Sequence, residues 1–259
     1  MLIRAGDRIA VALSGGKDST ALLLILSNII QEFRDVSLIA ITVDEGISGY
    51  RDDTISAAIT LAHRLGIDHR VVSFNEMFDG TLDAFLEGRE ERACSVCGIL
   101  RRKALADAAR MVGATRIATG HNLNDEAQSV LMNTLRGDLP RLVRESSNET
   151  GLFIPRIKPL AEISEKEIGA YLIVRGFWTD LPECPYTRYA LRADVRSMLS
   201  HLEYTCPGTM KKLMNSRKIL QKRCAGSLDL PPLQKCRICG EPSSGDLCQF
   251  CSIISLLRT

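Results

Sequence analysis

The sequence predicts an α/β fold: one large domain on a parallel sheet, followed by helices and by a small cysteine-rich module at the C-terminus. Three observations carry that expectation. β-rich apolar runs alternate with helical runs through the first 160 residues. A Gly-Gly pair stands where the first apolar run meets the first helical one. Two Cys-x-x-Cys pairs close the chain, a spacing that belongs to metal sites.

At 259 residues and 45% hydrophobic, the chain is long enough for one large domain with small appendages. Its 33 basic and 31 acidic residues leave a net charge of +2, which excludes a generally cationic nucleic-acid coat. Any RNA contact would come from local patches. The longest apolar run, residues 21–30 broken by Ser27 and Asn28, is too short to span a membrane, and no signal peptide opens the chain. The expectation is a cytoplasmic protein with no membrane partner, where nine cysteines favour metal or redox chemistry over disulfides.

The first strand is expected over residues 8–13 and the first helix over 18–33. Between them runs Ser14-Gly15-Gly16-Lys17-Asp18-Ser19. The glycines let the backbone approach an anion, the next amides open a helix whose positive end faces it, and Lys17 adds a point charge, so this stretch reads as a phosphate cradle. Val11 stands where the commoner nucleotide loop would need its first glycine. Residues 36–43 are a continuous apolar run, as in a strand buried on both faces, ending at Asp44. Ligands of doubly wound sheets lie beyond the carboxyl ends of the strands, which places Val43 and Asp44 at a nucleotide; a turn cap is an equal alternative for Asp44.

A helix over 52–66, with Ile55, Ile59 and Ala62 on one side, and a strand over 68–74 continue the right-handed series. Residues 81–86 read as a short helix and 87–92 as a solvated connection. After Cys94-Ser95-Val96-Cys97 comes a helix from about 98 to 112, then a strand over 116–119 whose exit loop, Gly120 to Gln128, should form the second wall of the cleft. Residues 138–151 read as a loop carrying Arg141 and Arg144, and 153–160 as a short edge strand, because Pro155 and Pro159 cannot donate to a ladder. A capping box opens a helix over 164–176, helices follow over about 189–202 and 208–222, and a linker over 225–234 precedes the last module.

Cys236, Cys239, Cys248 and Cys251 supply four thiolates in a segment too short to fold on apolar burial, the pattern of a structural tetrahedral zinc site that would be nearly its only source of stability. Cys94, Cys97 and the distant Cys184 would leave a zinc, or one iron of a cubane cluster, with an open position; a buried free thiol is as good a reading of Cys184. Cys206 and Cys224 lack partners at ligand spacing and read as inert.

The Ser14–Ser19 stretch resembles the PP-loop of ATP pyrophosphatases. Together with Cys94-x-x-Cys97, Gly120-His121-Asn122 through Asp125 and Gln128, Glu183-Cys184-Pro185-Tyr186 and the terminal cysteine pairs, it resembles the tRNA 2-thiolation enzymes across nearly the whole chain. That group holds bacterial 2-thiocytidine synthetase, the archaeal and eukaryotic cytoplasmic thiouridylases, closest here, and the thermophile T-loop thiouridine synthetases.

The resemblance implies a Rossmann-like PP-loop domain over 1–160, a helical extension over 161–225 carrying the third cluster cysteine, and a linker and zinc ribbon over 226–259. It implies ATP with Mg2+ on Ser14, Gly15, Gly16, Lys17, Asp18, Ser19, Val43 and Gly120, with Arg101 near the phosphates and Asp125 as the catalytic carboxylate. It implies a 4Fe-4S cluster on Cys94, Cys97 and Cys184, zinc, a tRNA substrate, a homodimer, and sulfur from a ubiquitin-like carrier or free sulfide. The expected reaction adenylates the uracil C2 oxygen and replaces it with sulfur at the wobble or the T-loop uridine.

Two departures stand out. Relatives carry a second zinc module ahead of the loop, where thirteen residues precede Ser14, and they often have aspartate at the position of Asn124. Three other readings stay open: a cluster-free persulfide on Cys94 or Cys184, another PP-loop ligase such as lysidine synthetase or an amidotransferase, and a non-enzymatic zinc-ribbon RNA-binding protein. The basic clusters Arg101–Lys103, Lys211-Lys212, Arg217-Lys218 and Lys222-Arg223 could track tRNA phosphates or be ordinary solvated helix faces.

Overall fold

In a computed structural model, residues 2–143, 153–178, 180–189, 191–224 and 233–257 are described. The elements run β1 (Arg8–Ala12), α1 (Lys17–Ile29), β2 (Ser37–Asp44), α2 (Arg51–Arg64), β3 (Asp68–Ser73), α3 (Phe74–Phe78), α4 (Leu82–Leu86), α5 (Ala93–Met111) and β4 (Arg116–Ala118). Then come α6 (Leu123–Leu135), α7 (Leu139–Val143), β5 (Arg156–Ile157), α8 (Glu165–Val174), α9 (Leu191–Thr205), α10 (Thr209–Cys224), β6 (Gln234–Lys235), β7 (Pro242–Ser243) and α11 (Gln249–Leu257).

The main sheet has the order β3-β2-β1-β4-β5, parallel throughout, and β6 pairs antiparallel with β7. The strand order reverses between β1 and β4, so their exit loops part and leave a crevice at the carboxyl edge. Each face of the sheet is covered. Ile9, Val11, Leu22, Leu23, Ala58, Ile168 and Leu172 close the α1, α2 and α8 side. Ile41, Phe74, Leu100, Ala104 and Ile117 close the α3 and α5 side.

The structure corrects several expectations. The strand after α2 ends at Ser73, because Ser73 and Glu76 form a capping box that starts α3 at Phe74. Ile59 is 47% exposed; the core face of α2 is Thr54, Ala58, Leu61 and Ala62, one step round the helix. The helix expected from about 98 begins at Ala93, preceded by a 3-10 turn over Glu90–Arg92 in the stretch read as a connection. Within 138–151, residues 139–143 form α7, whose Leu142 and Val143 are buried; Arg144 and the remainder lie outside the described residues. Only Arg156–Ile157 of the expected 153–160 strand joins the sheet, at its edge as the prolines require. Of the expected linker, residues 225–232 lie outside the described ones.

The last correction concerns the terminal module. Phe250, Ile253, Ile254 and Leu257 of α11 pack onto the cluster that holds Leu100 and Ala104, and Phe250 meets Phe78 at 5.0 Å between ring centroids. Lys103 and Arg110 of α5 both pair with Glu241. Apolar contact and ion pairs with α5 therefore support this module in addition to any metal.

Candidate functional site

Gly15 has φ 88, and a Cβ there would sit 2.0 Å from the carbonyl oxygen of Thr54, so the loop needs glycine for conformation and for room. Gly16 opens α1 without a side-chain cap, which leaves the first-turn amides to an anion. Ser19 Oγ accepts from the Ser14 amide at 3.1 Å and donates to the Gly16 carbonyl at 2.9 Å, folding the loop on itself. Lys17 Nζ lies 3.1 Å from Asp18 and 2.9 Å from Glu165 Oε1 at the start of α8. Burial works against the Lys17 charge, but Glu165 and Asp18 outweigh it and raise the pKa above the usual lysine value.

The second loop packs against the first. A Cβ at Gly120 would lie 3.0 Å from the Asp18 carbonyl carbon, and Asn122 Nδ2 donates to Asp18 Oδ1 at 3.0 Å. Asn122 also caps α6 in a capping box with Asp125, whose carboxylate accepts the Asn122 amide and stands 3.6 Å from Arg192. Asp125 thus lies at the cleft but also holds its own helix. Asn124 takes a structural role, its Oδ1 accepting the Glu165 amide at 3.0 Å.

Asp44 accepts from the Gly46 amide at 2.9 Å, which is the turn-capping alternative. The buried charge falls one residue on, at Glu45, 4% exposed. Arg51, 5% exposed, reaches Glu45 at 2.7 Å, donates to the Val43 carbonyl at 2.6 Å and lies 3.4 Å from the Ser14 carbonyl. Glu45 also pairs with Arg101 at 3.4 Å. Glu45, Arg51 and Glu165 escaped the sequence reading; an Asp-Glu step at a strand end, followed six residues later by arginine, was the only available hint of the first two.

Because α5 starts at Ala93, Cys94 and Cys97 stand three apart on its first turn, on neighbouring positions of one face. The Cys94 thiol donates to the Tyr186 carbonyl at 3.8 Å. Cys184 precedes the 3-10 turn Pro185–Tyr189 and accepts from the Thr187 amide at 3.1 Å, while Tyr186 Oη donates to Asp83 at 2.8 Å. These contacts bring the distant third cysteine beside the first two. Burial pushes the Cys97 thiol up to about 12 against the pull of Arg101, and burial also raises Cys184. Ligation at neutral pH would therefore have to displace protons.

The two sulfur groups suit different metals. Cys236, Cys239, Cys248 and Cys251 place all four sulfurs within 4.8 Å of one another, the one such group of His, Cys, Asp or Glu ligands among the described residues. Zinc–sulfur bonds of about 2.3 Å put tetrahedral sulfurs about 3.8 Å apart, so this quartet fits a single ion. Amides of Cys239 and Cys248 hold Cys236 down to about 6, close to its thiolate form. Cys94, Cys97 and Cys184 share one site without that convergence, as ligands to separate irons of a cubane must.

The basic clusters divide. Lys103 points into Asp107 and Glu241, Arg217 into Glu126, and Lys218 into Glu162, whereas Lys211, Lys212, Lys222 and Arg223 are exposed on α10. Cys206 is exposed, and Cys224 packs beside Val130, Leu142 and Val143. No helix among the described residues is long and apolar enough to cross a membrane.

A PP-loop domain model matches residues 3–200 of the chain. The tRNA 2-thiolation protein NcsA of Haloferax volcanii is 36% identical, with 96% of this chain and 82% of that protein covered. The cytoplasmic tRNA 2-thiolation protein 1 of Mus musculus is 38% identical over 99% of this chain and 63% of its own length. A solved structure of U34-tRNA thiolase NcsA from Methanococcus maripaludis with its 4Fe-4S cluster is similar at a TM-score of 0.84 and 32% identity, covering 99% of this chain and 83% of that one.

Proposed function

The chain belongs to the tRNA 2-thiolation family of PP-loop proteins, and from that premise we propose that it is an ATP-dependent tRNA sulfurtransferase acting on the wobble uridine. What supports the reading is a relay of contacts that runs from the phosphate loop toward the thiols: Arg51 meets the Ser14 carbonyl and Glu45, Glu45 pairs with Arg101, and Arg101 acts on Cys97.

The α1 amides and Lys17 receive the phosphates, and Lys17 exchanges Glu165 for them while Arg196 keeps Glu165 paired at 2.8 Å. Val43 and Gly120 border the adenosine. Uracil O2 attacks the α-phosphate, the bond to the β-phosphate breaks, and pyrophosphate leaves. Asp125 takes the N3 proton, or with Asp18 holds the Mg2+ that accompanies ATP. A sulfur nucleophile then adds at C2, and the activated oxygen departs with AMP.

Cys94, Cys97 and Cys184 would hold a 4Fe-4S cluster, which supplies an iron with an open position for sulfur. The terminal quartet would hold a structural zinc. Sulfur arrives as free sulfide or from a ubiquitin-like thiocarboxylate carrier, the working form is a cytoplasmic homodimer, and the exposed Lys211, Lys212, Lys222 and Arg223 meet tRNA phosphates.

The test is anaerobic incubation of the protein with unmodified tRNA, ATP and sulfide, followed by nucleoside mass spectrometry. One AMP and one pyrophosphate per 2-thiouridine is expected. Thiolation by protein stripped of iron would mean that sulfide reaches the activated C2 without the cluster, and pyrophosphate release without any thiolated nucleoside would point to another PP-loop ligase.

A further inference from the structure

The segment after α8 reaches Cys184 across the outer face of α1 and α2. It starts at a fixed point: Gly176, at φ 70, closes α8, and the Phe177 amide donates to the Leu172 carbonyl at 2.9 Å. Between this segment and the two helices lies a groove of about 510 Å³, with Gly15 of the phosphate loop in its lining. That volume is in the range of small-ligand sites, and a groove so placed has no part in the reaction described above.

Its walls supply three kinds of contact. Trp178, the single tryptophan of the chain, is 49% exposed, yet its ring has a seat: a Cβ at Gly169 would already stand 3.5 Å from Cζ3. Asp53, Ser56 and Thr60, on successive turns of α2, give a polar side with a carboxylate acceptor and hydroxyls. Arg64 closes the far end with its guanidinium 4.3 Å over the Phe177 ring. A half-free aromatic face, an edge of hydrogen-bonding groups and a cation in the lining match the parts with which proteins hold unstacked bases of single-stranded RNA. The carboxylates of Asp53 and Asp180 disfavour a phosphate inside the groove and accept from base N–H groups, so the base enters and the backbone stays toward Arg64.

We propose that this groove binds an unstacked nucleobase of the substrate RNA other than the one being modified, with Trp178 as its stacking platform. From Asp53 to Arg64 the floor runs about 16 Å along α2, away from the carboxyl edge where the thiols lie, so the base it takes cannot be the reacting one. Holding that base would anchor the RNA on the α1 and α2 side while the target enters the cleft. The proposal rests on the tRNA reading of the function.

Trp178 is its own reporter. Titration of the full chain with unmodified tRNA should quench tryptophan emission saturably, while ATP alone leaves it unchanged. Trp178→Ala should weaken tRNA binding by roughly 5- to 100-fold, the cost of losing one base stack, and Trp178→Phe should restore most of it. Ser56→Phe, which fills the groove from an exposed floor position, should weaken binding without a change in melting temperature. Unchanged affinity in Trp178→Ala and Ser56→Phe, with a wild-type protein that still thiolates tRNA, would overturn the groove assignment and leave the functional reading standing. Quenching by ATP alone would make the groove a nucleotide subsite and also overturn it. A wild-type protein that neither binds nor thiolates tRNA would take both down.

Discussion

The four C-terminal thiols and the trio of Cys94, Cys97 and Cys184 differ first in how the chain delivers them. Cys236 to Cys251 fall within one short hairpin and helix, converge within 4.8 Å and bury three of their number. Cys94, Cys97 and Cys184 come from a helix start and a turn some ninety positions apart, and Cys94 is exposed. A closed quartet satisfies an ion and leaves nothing for a substrate; a trio leaves a vacancy on its metal. If the quartet holds a structural ion and the trio a working metal, the same side chain serves packing in one region and chemistry in the other, and substitutions should separate the two.

The largest effect is expected at the trio. Cys94→Ala, Cys97→Ala or Cys184→Ala should each lower thiolation at least about 100-fold, as loss of a ligand outweighs loss of its supporting contacts, and should abolish iron binding in an anaerobic assay. The melting temperature should barely move for Cys94→Ala, whose side chain is exposed, and should fall modestly for the other two, which pack on the core. Cys236→Ser should show the reverse: a lower unfolding midpoint and faster amide exchange in α5 and α11, with thiolation reduced by no more than about tenfold. Equal loss of activity at the two sites would erase the distinction.

Next comes the link between nucleotide and thiols. Glu45→Ala leaves Arg51 buried without its carboxylate and should cost about 3 kcal/mol of stability, read from denaturant midpoints, together with a raised KM for ATP. Unaltered stability would mean that the Arg51 contacts to backbone carbonyls suffice. The smallest effect is expected at Asn122→Ala, which removes the α6 cap and the contact to Asp18 and should cost about 1 kcal/mol.

Local features were the legible ones. The strand-to-helix junction at Ser14–Ser19, the alternation of strands and helices along the main sheet and the terminal cysteine quartet are each written within a short window, and the structure has all three, with shifts at several element ends. The Ser73 capping box was equally local and was overlooked, which lengthened a strand by one residue and hid α3. Glu45 and Arg51 could not be read, because their pairing depends on how the exits of β1 and β2 meet, and Asp44 offered itself as the nearer carboxylate. The docking of α11 on α5 was hidden for a similar reason: a short apolar helix beside a metal module does not state which surface it covers.

If a cleft that adenylates a pyrimidine oxygen faces three thiolates whose iron presents the incoming sulfur, iron content and thiolation stand or fall together. The most direct test is the iron content and 2-thiouridine yield of anaerobically reconstituted wild-type protein and Cys184→Ser, measured on the same unmodified tRNA with ATP and sulfide. Iron and thiolated tRNA are expected for the wild type and neither for the variant. Full thiolation by Cys184→Ser, or by wild-type protein containing no iron, would contradict that coupling.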